Sequence, residues 1–202
     1  GPQEGDVVGI SVDAGGSVYV DTGENADVVN AMIDASENVA IGVVINVDET
    51  DPLHPVADVD TSGALFGNLV AGEAMNIIGS HVNAGGWALL NANLEIDGTH
   101  VTAVGDIDAN AGTGIVDTAL VSVTGNVDAT TLAGHIIDST FVTKAPTGTV
   151  SITAGDLEDP AADSEIDGVE IVSGSTVTVN SAGWIIDGMF VSETGDVNLT
   201  AA

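Results

Sequence analysis

The sequence predicts an all-β fold: a single-chain parallel β-solenoid of about eight to nine coils, with ~20-residue repeats and two acidic loop insertions. Three observations predict it. Short β-type runs recur at a regular step, so that Val177 and Val197 sit in equivalent settings and similar steps back reach Val150, Val127, Ile107 and Trp87. Between the runs lies a recurrent corner, made of an apolar residue, Asp, a small residue and then an aliphatic one. It is found at Asp97, Asp117, Asp138, Asp167 and Asp187, more loosely at Asp13, Asp34 and Asp60, and with Gly79 in the Asp place once. Finally, the chain holds 26 Gly and 44% hydrophobic residues of which few are aromatic, so turns are frequent and the interior must be thin and built from Val, Ile, Leu and Ala.

Taken in order, residues 5 to 47 read as strands over Val7 to Val12, Ser17 to Val20, Val28 to Ile33 and Val39 to Val47. The continuous apolar run Val43-Val44-Ile45 predicts a strand buried on both faces. At residues 48 to 58, DETDPLHPVAD, two prolines and four acids break the rhythm; proline cannot donate to a strand ladder, so this loop should leave the coil. The rhythm resumes through Leu65, Ile77-Ile78, Val82 and Trp87, and continues through Ile96, Val101, Ile107, Val116, Val121, Val127, Ile136-Ile137 and Val142. A second break, DLEDPAADSE at 156 to 165, precedes Asp167.

The two breaks share an Asp-x-x-Asp-Pro core, Asp48 to Pro52 and Asp156 to Pro160. Together with similar corner spacings, this reads as one β-solenoid domain over 1–202 built from two tandem halves, about 5–96 and 107–202, with a joining coil at about 97–106. A solenoid normally closes its ends with atypical polar caps. Here Val7 at one end and Val197-Asn-Leu-Thr-Ala-Ala at the other are strand-like, which reads as a rod suited to extension.

Charge excludes whole classes of partner. Thirty-one acids face the single base Lys144, for a formal net charge of -30. No cationic surface exists to displace counterions from nucleic acid, and anionic membranes would repel the chain. No apolar run is long enough for membrane insertion. Repulsion among the acids must be relieved by salt, divalent cations or protonation. One basic residue leaves one site for a protease that cuts after Lys or Arg, which suits an extracellular or cell-surface location. The lack of an initiator Met or a signal peptide suggests a mature or trimmed chain, and Asn198-Leu-Thr200 is an N-glycosylation sequon.

The duplicated loops are the candidate metal ligands. Asp48, Glu49, Asp51, Asp156, Glu158 and Asp159 are hard oxygen donors at short spacing, as Ca²⁺ prefers, although they lack the EF-hand pattern. The corner aspartates suit turn chemistry, and if stacked they would also form a carboxylate file. Of the four histidines, His54, His81, His100 and His135, the middle two follow corner positions at a similar distance and so could stack on adjacent coils. No catalytic residue is identified. Nucleophile elbow, phosphate loop and dinucleotide fingerprint are all missing, and no arginine is present to neutralise a uronic-acid carboxylate. Thr176-Val-Thr178 has no equivalent triplet one coil earlier, so an ice-binding ladder of threonines is not formed.

The segments TGNVDATTLAGHIIDSTFVT (124–143) and STVTVNSAGWIIDGMFVSETGDVNLTAA (175–202) resemble the repeats of filamentous haemagglutinin-like adhesins and other β-solenoid surface proteins. The resemblance covers most of the chain and implies a secreted or surface location; it carries over no catalytic residue. The expected function is therefore a non-enzymatic extracellular structural protein. It would self-assemble with its own copies into a filament, sheath or surface layer, with Ca²⁺ bridging as an option and no required cofactor. A fragment of an adhesin or phage fibre acting as a binding module is the alternative, and a polysaccharide-acting β-helix enzyme the third reading.

Overall fold

The structure is a computed structural model that describes residues 5–22, 26–48, 56–60, 74–156 and 164–202, with backbone alone at 44–48 and 56–60. The chain winds as a parallel β-solenoid with three strands per coil. Each strand pairs with its counterpart one coil on, and the result is three parallel 8-stranded sheets. Rung 5 is representative: Gly114–Val116 lies in the first sheet, Ala119–Ser122 in the second and Val127–Thr131 in the third. Eight rungs make seven steps, which at a strand spacing of ~4.8 Å gives a stack about 34 Å long. This is slightly shorter than nine coils would give.

Strand residues alternate inward and outward, and the inward ones form columns along the axis. The first sheet contributes Val7, Val28, Ile77, Ile96, Ile115, Ile136, Ile166 and Ile185. The second contributes Val12, Ile33, Val82, Val101, Leu120, Phe141, Ile171 and Phe190. In the third, one column runs Val18, Val39, Ala88, Ile107, Val127, Val150, Val177 and Val197, and a second runs from Val20 and Ile41 to Leu199. These columns merge into one core, in which Phe141, Ile33, Ile96 and Ile136 are fully buried. Each such side chain contributes about 1.5–3 kcal/mol, enough for every rung to depend on the one beneath it. The third-sheet column passes through Ala88 and not Trp87 as the spacing suggests. The indole instead packs outside, against a small cluster of Ala40, Val43 and Leu89 with Tyr19.

The corner between the first and second sheets is where the Gly/Asp/Asn signal originates. One position on every rung has a left-handed backbone, at Gly9, Asn30, Gly79, Gly98, Asp117, Asp138, Gly168 and Asp187, with φ between 46 and 64°. A β-carbon is disfavoured there except where a short polar side chain bonds locally, hence this residue set. The sequence motif thus merges two positions. At Asp117, Asp138 and Asp187 the aspartate itself turns the corner, while Asp97 and Asp167 end the preceding strand and leave the turn to Gly98 and Gly168. Asp13 and Asp34 lie inside second-sheet strands, paired with each other across rungs, and are not corners.

Behind that corner runs a buried file of hydroxyls. Ser80, Thr99, Thr118 and Ser139 occupy one position on rungs 3 to 6. Each donates to the carbonyl two residues back, as in Thr118 Oγ1 to Val116 O at 2.9 Å and Ser139 Oγ to Ile137 O at 2.8 Å. The file also accepts backbone N–H groups from neighbouring rungs, as when Thr118 N donates to Ser139 Oγ. Buried corner groups that strand pairing cannot reach are satisfied in this way.

Both insertions leave from the corner between the third sheet and the first. Val44–Asp48 pairs antiparallel with Val56–Asp60, with Val44 opposite Asp60, outside the three parallel sheets. The first excursion therefore starts earlier than the prolines imply: of the Val43-Val44-Ile45 run only Val43 stays in the stack, and Asp60 is a hairpin residue and not a corner. The expected strand residue Leu65 lies outside the described residues. Gly42 O accepts a hydrogen bond from Asn91 Nδ2 at 3.2 Å, tying the exit to rung 3. The second excursion separates Asp156 from Ser164, and its ends meet: a β-carbon on Gly155 would stand 2.1 Å from Ser164 Oγ. Each loop is closed at its base, so the ladder continues beneath it.

Candidate functional site

Surface features of the coil follow from the columns. At rung 8 the inward residues of the third sheet have no further rung over them. Val197 is 42% and Leu199 51% exposed, whereas Val177 and Val179, one rung earlier, are both 0%. Ile185 and Phe190 are half-buried against the core, and Trp184 beside them is 72% exposed. Trp184–Ile186, Met189–Ser192 and Val197–Ala201 each pair with rung 7 on one side only. Rung 1 presents the opposite edge of the same columns, with Val7, Ile10 and Val18 half-buried.

Among the described residues, the acids raised above their ordinary range lie on the outer face of the third sheet. Asp108 and Asp128 hold one outward position on rungs 4 and 5. Asp108 is pushed up to about 6, first by desolvation and then by the charges of Asp128 and Asp106. Asp128 is raised by burial and by Asp106, against a lowering hydrogen bond from Ser151. Asp106 also helps to hold the coil together. Its Oδ1 accepts from Asn126 N at 2.7 Å, and Asn126 Oδ1 in turn accepts from Thr149 N at 3.0 Å. Asp6 and Asp27 act likewise on the next edge, where Asp6 Oδ1 accepts from Asp27 N and Asp27 Oδ1 from Asn76 Nδ2. Asp106 and Asp6 thus supply side-chain acceptors to backbone N–H groups of the next rung, and Asp27 bonds the Asn76 side chain.

The candidate Ca²⁺ ligands fall on the two excursions. Asp48 ends the first hairpin strand and Asp156 stands at the exit of the second loop, while Glu49, Asp51, Glu158 and Asp159 lie outside the described residues. The corner aspartates do not form a continuous file, because Gly98 and Gly168 interrupt the column. Among the described residues, no three His, Cys, Asp or Glu side chains converge as a metal cluster.

Sequence spacing anticipates the histidine pair, and the structure forms it. His81 and His100 are register partners in the second sheet, with ring centroids 6.0 Å apart and planes 20° from parallel. His135 lies elsewhere, with Nδ1 3.8 Å from Glu165 Oε1 on the next rung; His54 lies outside the described residues. The Asp108–Asp128 pair escapes motif reading. Its signal is the position just after Ile107 and Val127, the ladder residues themselves.

Comparison of the chain with protein-family models, with curated proteins and with solved structures found no match. The function is accordingly read from the coil alone.

Proposed function

We propose that the protein is an extracellular structural subunit that assembles end to end, rung 8 of one copy receiving rung 1 of the next. The supporting observation is the match between these rungs. Val7, Val12, Val18 and Val20 occupy the same four inward columns as Ile185, Phe190, Val197 and Leu199. A second copy would extend all three sheets with the same parallel register, a heterologous contact that does not close on itself.

Magnitudes indicate how such a junction behaves. The eight residues are already largely covered, from Val20 at 8% to Leu199 at 51% exposed, so together they gain roughly a quarter to a third of full burial at ~1.5–3 kcal/mol each, or about 3–7 kcal/mol. Association costs about 4–15 kcal/mol. Apolar burial alone thus lies at or below the cost of association, and strand hydrogen bonds and charge repulsion decide the outcome. With a formal charge of -30, assembly requires screening. Ca²⁺ held by Asp48, Glu49, Asp51, Asp156, Glu158 and Asp159 is one source of it in this reading.

Electron microscopy and sedimentation of the chain over a concentration series, with Ca²⁺ and with chelator, test this. Polymers in wild type that disappear in Val197→Asp and Leu199→Asp support the rung junction. Polymers only with Ca²⁺ support cation bridging as well. A wild-type monomer at every concentration and salt overturns the reading and favours a binding module.

A further inference from the structure

We propose that His81 and His100 form a binding site for a borderline divalent transition cation such as Ni²⁺, Zn²⁺ or Cu²⁺, on the outer face of the second sheet. The site is independent of end-to-end assembly. Parallel pairing places the two residues directly opposite each other on rungs 3 and 4, so their β-carbons stand about 4.8 Å apart. Both side chains are exposed and project from the same face. Their rings lie side by side with centroids 6.0 Å apart, close enough for one ion between them to take a nitrogen from each after modest side-chain rotation, at ~2.0–2.1 Å per bond.

The surroundings add a thioether and a nearby negative charge. The same outward column continues to Met32 on rung 2, which is 59% exposed and presents a thioether beside His81. Two residues along the strand, Asp34 of rung 2 stands opposite Asn83 of rung 3, placing a carboxylate diagonally from His81. Two imidazoles with a thioether select first-row transition ions over Ca²⁺ or Mg²⁺, which favour oxygen. Water fills the remaining positions. The overall negative charge draws cations toward the surface, and the imidazole pair supplies the selectivity that carboxylates alone lack.

Titration calorimetry with Ni²⁺ or Zn²⁺ at pH 7.5, in excess Mg²⁺ to occupy the carboxylates, tests the site. One ion per chain is expected, with at least a tenfold loss of affinity in His81→Ala and equally in His100→Ala. Because both side chains are exposed, circular dichroism should show both variants folded. Ala119 continues the column on the far side of His100. Adding Ala119→His to His81→Ala recreates an adjacent pair and should restore binding. No saturable wild-type site, binding unchanged in the double alanine variant, or failure of this rescue in a folded protein would each overturn the proposal.

Discussion

Asp108 and Asp128 are register partners on neighbouring rungs, so two carboxylates face outward from one column with Asp106 close by. Burial and mutual repulsion raise Asp108 to about 6 from 3.8. A carboxyl with a raised folded-state value favours folding below its unfolded value, and that contribution is lost as pH rises through about 6. Thermal stability should therefore increase as pH is lowered from 7.5 toward 5. Asp108→Asn should be more stable than wild type at pH 7.5 and should reduce the difference between the two pH values. Asn198 holds the equivalent position on rung 8, so the amide is compatible with this face. Melting curves of both proteins across pH decide it; parallel profiles would refute the assignment.

The left-handed corner makes a second prediction. Asp117 has φ 46°, and its column alternates among Gly, Asn and Asp. Asp117→Val should cost about 1–2 kcal/mol, whereas Asp117→Gly should stay within roughly 0.5 kcal/mol of wild type. Denaturant midpoints for the two variants provide the comparison.

The hydroxyl file is open to the same kind of test. Thr118→Val keeps the shape but removes the donor to Val116 O and Ile96 O. The loss should be about 1 kcal/mol, at the low end for a buried hydrogen bond, because Val169 already fills this position on rung 7. A Thr118→Val protein as stable as wild type would make the file incidental.

Gly134 lies where the third sheet turns back to the first. A β-carbon there would overlap Thr113 O of the rung before, with a separation of 1.5 Å. Gly134→Ala should cost about 2–3 kcal/mol through forced rung displacement. Hydrogen exchange should show the protection loss centred on rungs 5 and 6, since repeats couple through nearest neighbours.

The coil was legible because each inward column repeats an apolar residue at a nearly constant interval outside the two insertions, and Val177 and Val197 alone reveal the step. Register was harder to read. Asp13, Asp34, Asp97 and Asp117 resemble one another in sequence yet occupy three different positions in the coil, since an Asp beside an apolar residue suits a strand end, an outward strand site and a left-handed corner alike. Trp87 misled by a single residue because bulk, which excludes it from a thin interior, is invisible to periodicity. The hairpin at Val44–Asp48 was hidden because a β-branched run looks the same whether it continues a parallel stack or folds back on itself. The histidine pair was legible, since its two members share a spacing; the acidic pair required knowing which column the spacing belonged to.

The positions of the two loops carry a consequence for any extended stack. One interrupts the coil between rungs 2 and 3 and the other between rungs 6 and 7, both along the same edge. Because a copy contributes eight rungs, the next copy's first loop would follow the previous copy's second by four rungs as well. The junction would leave no gap in the pattern: the points of insertion would recur uniformly at ~19 Å, four strand spacings, along the whole assembly. Diffraction from such a fibre would report half the subunit length as its dominant axial period, and the seam between molecules would be camouflaged.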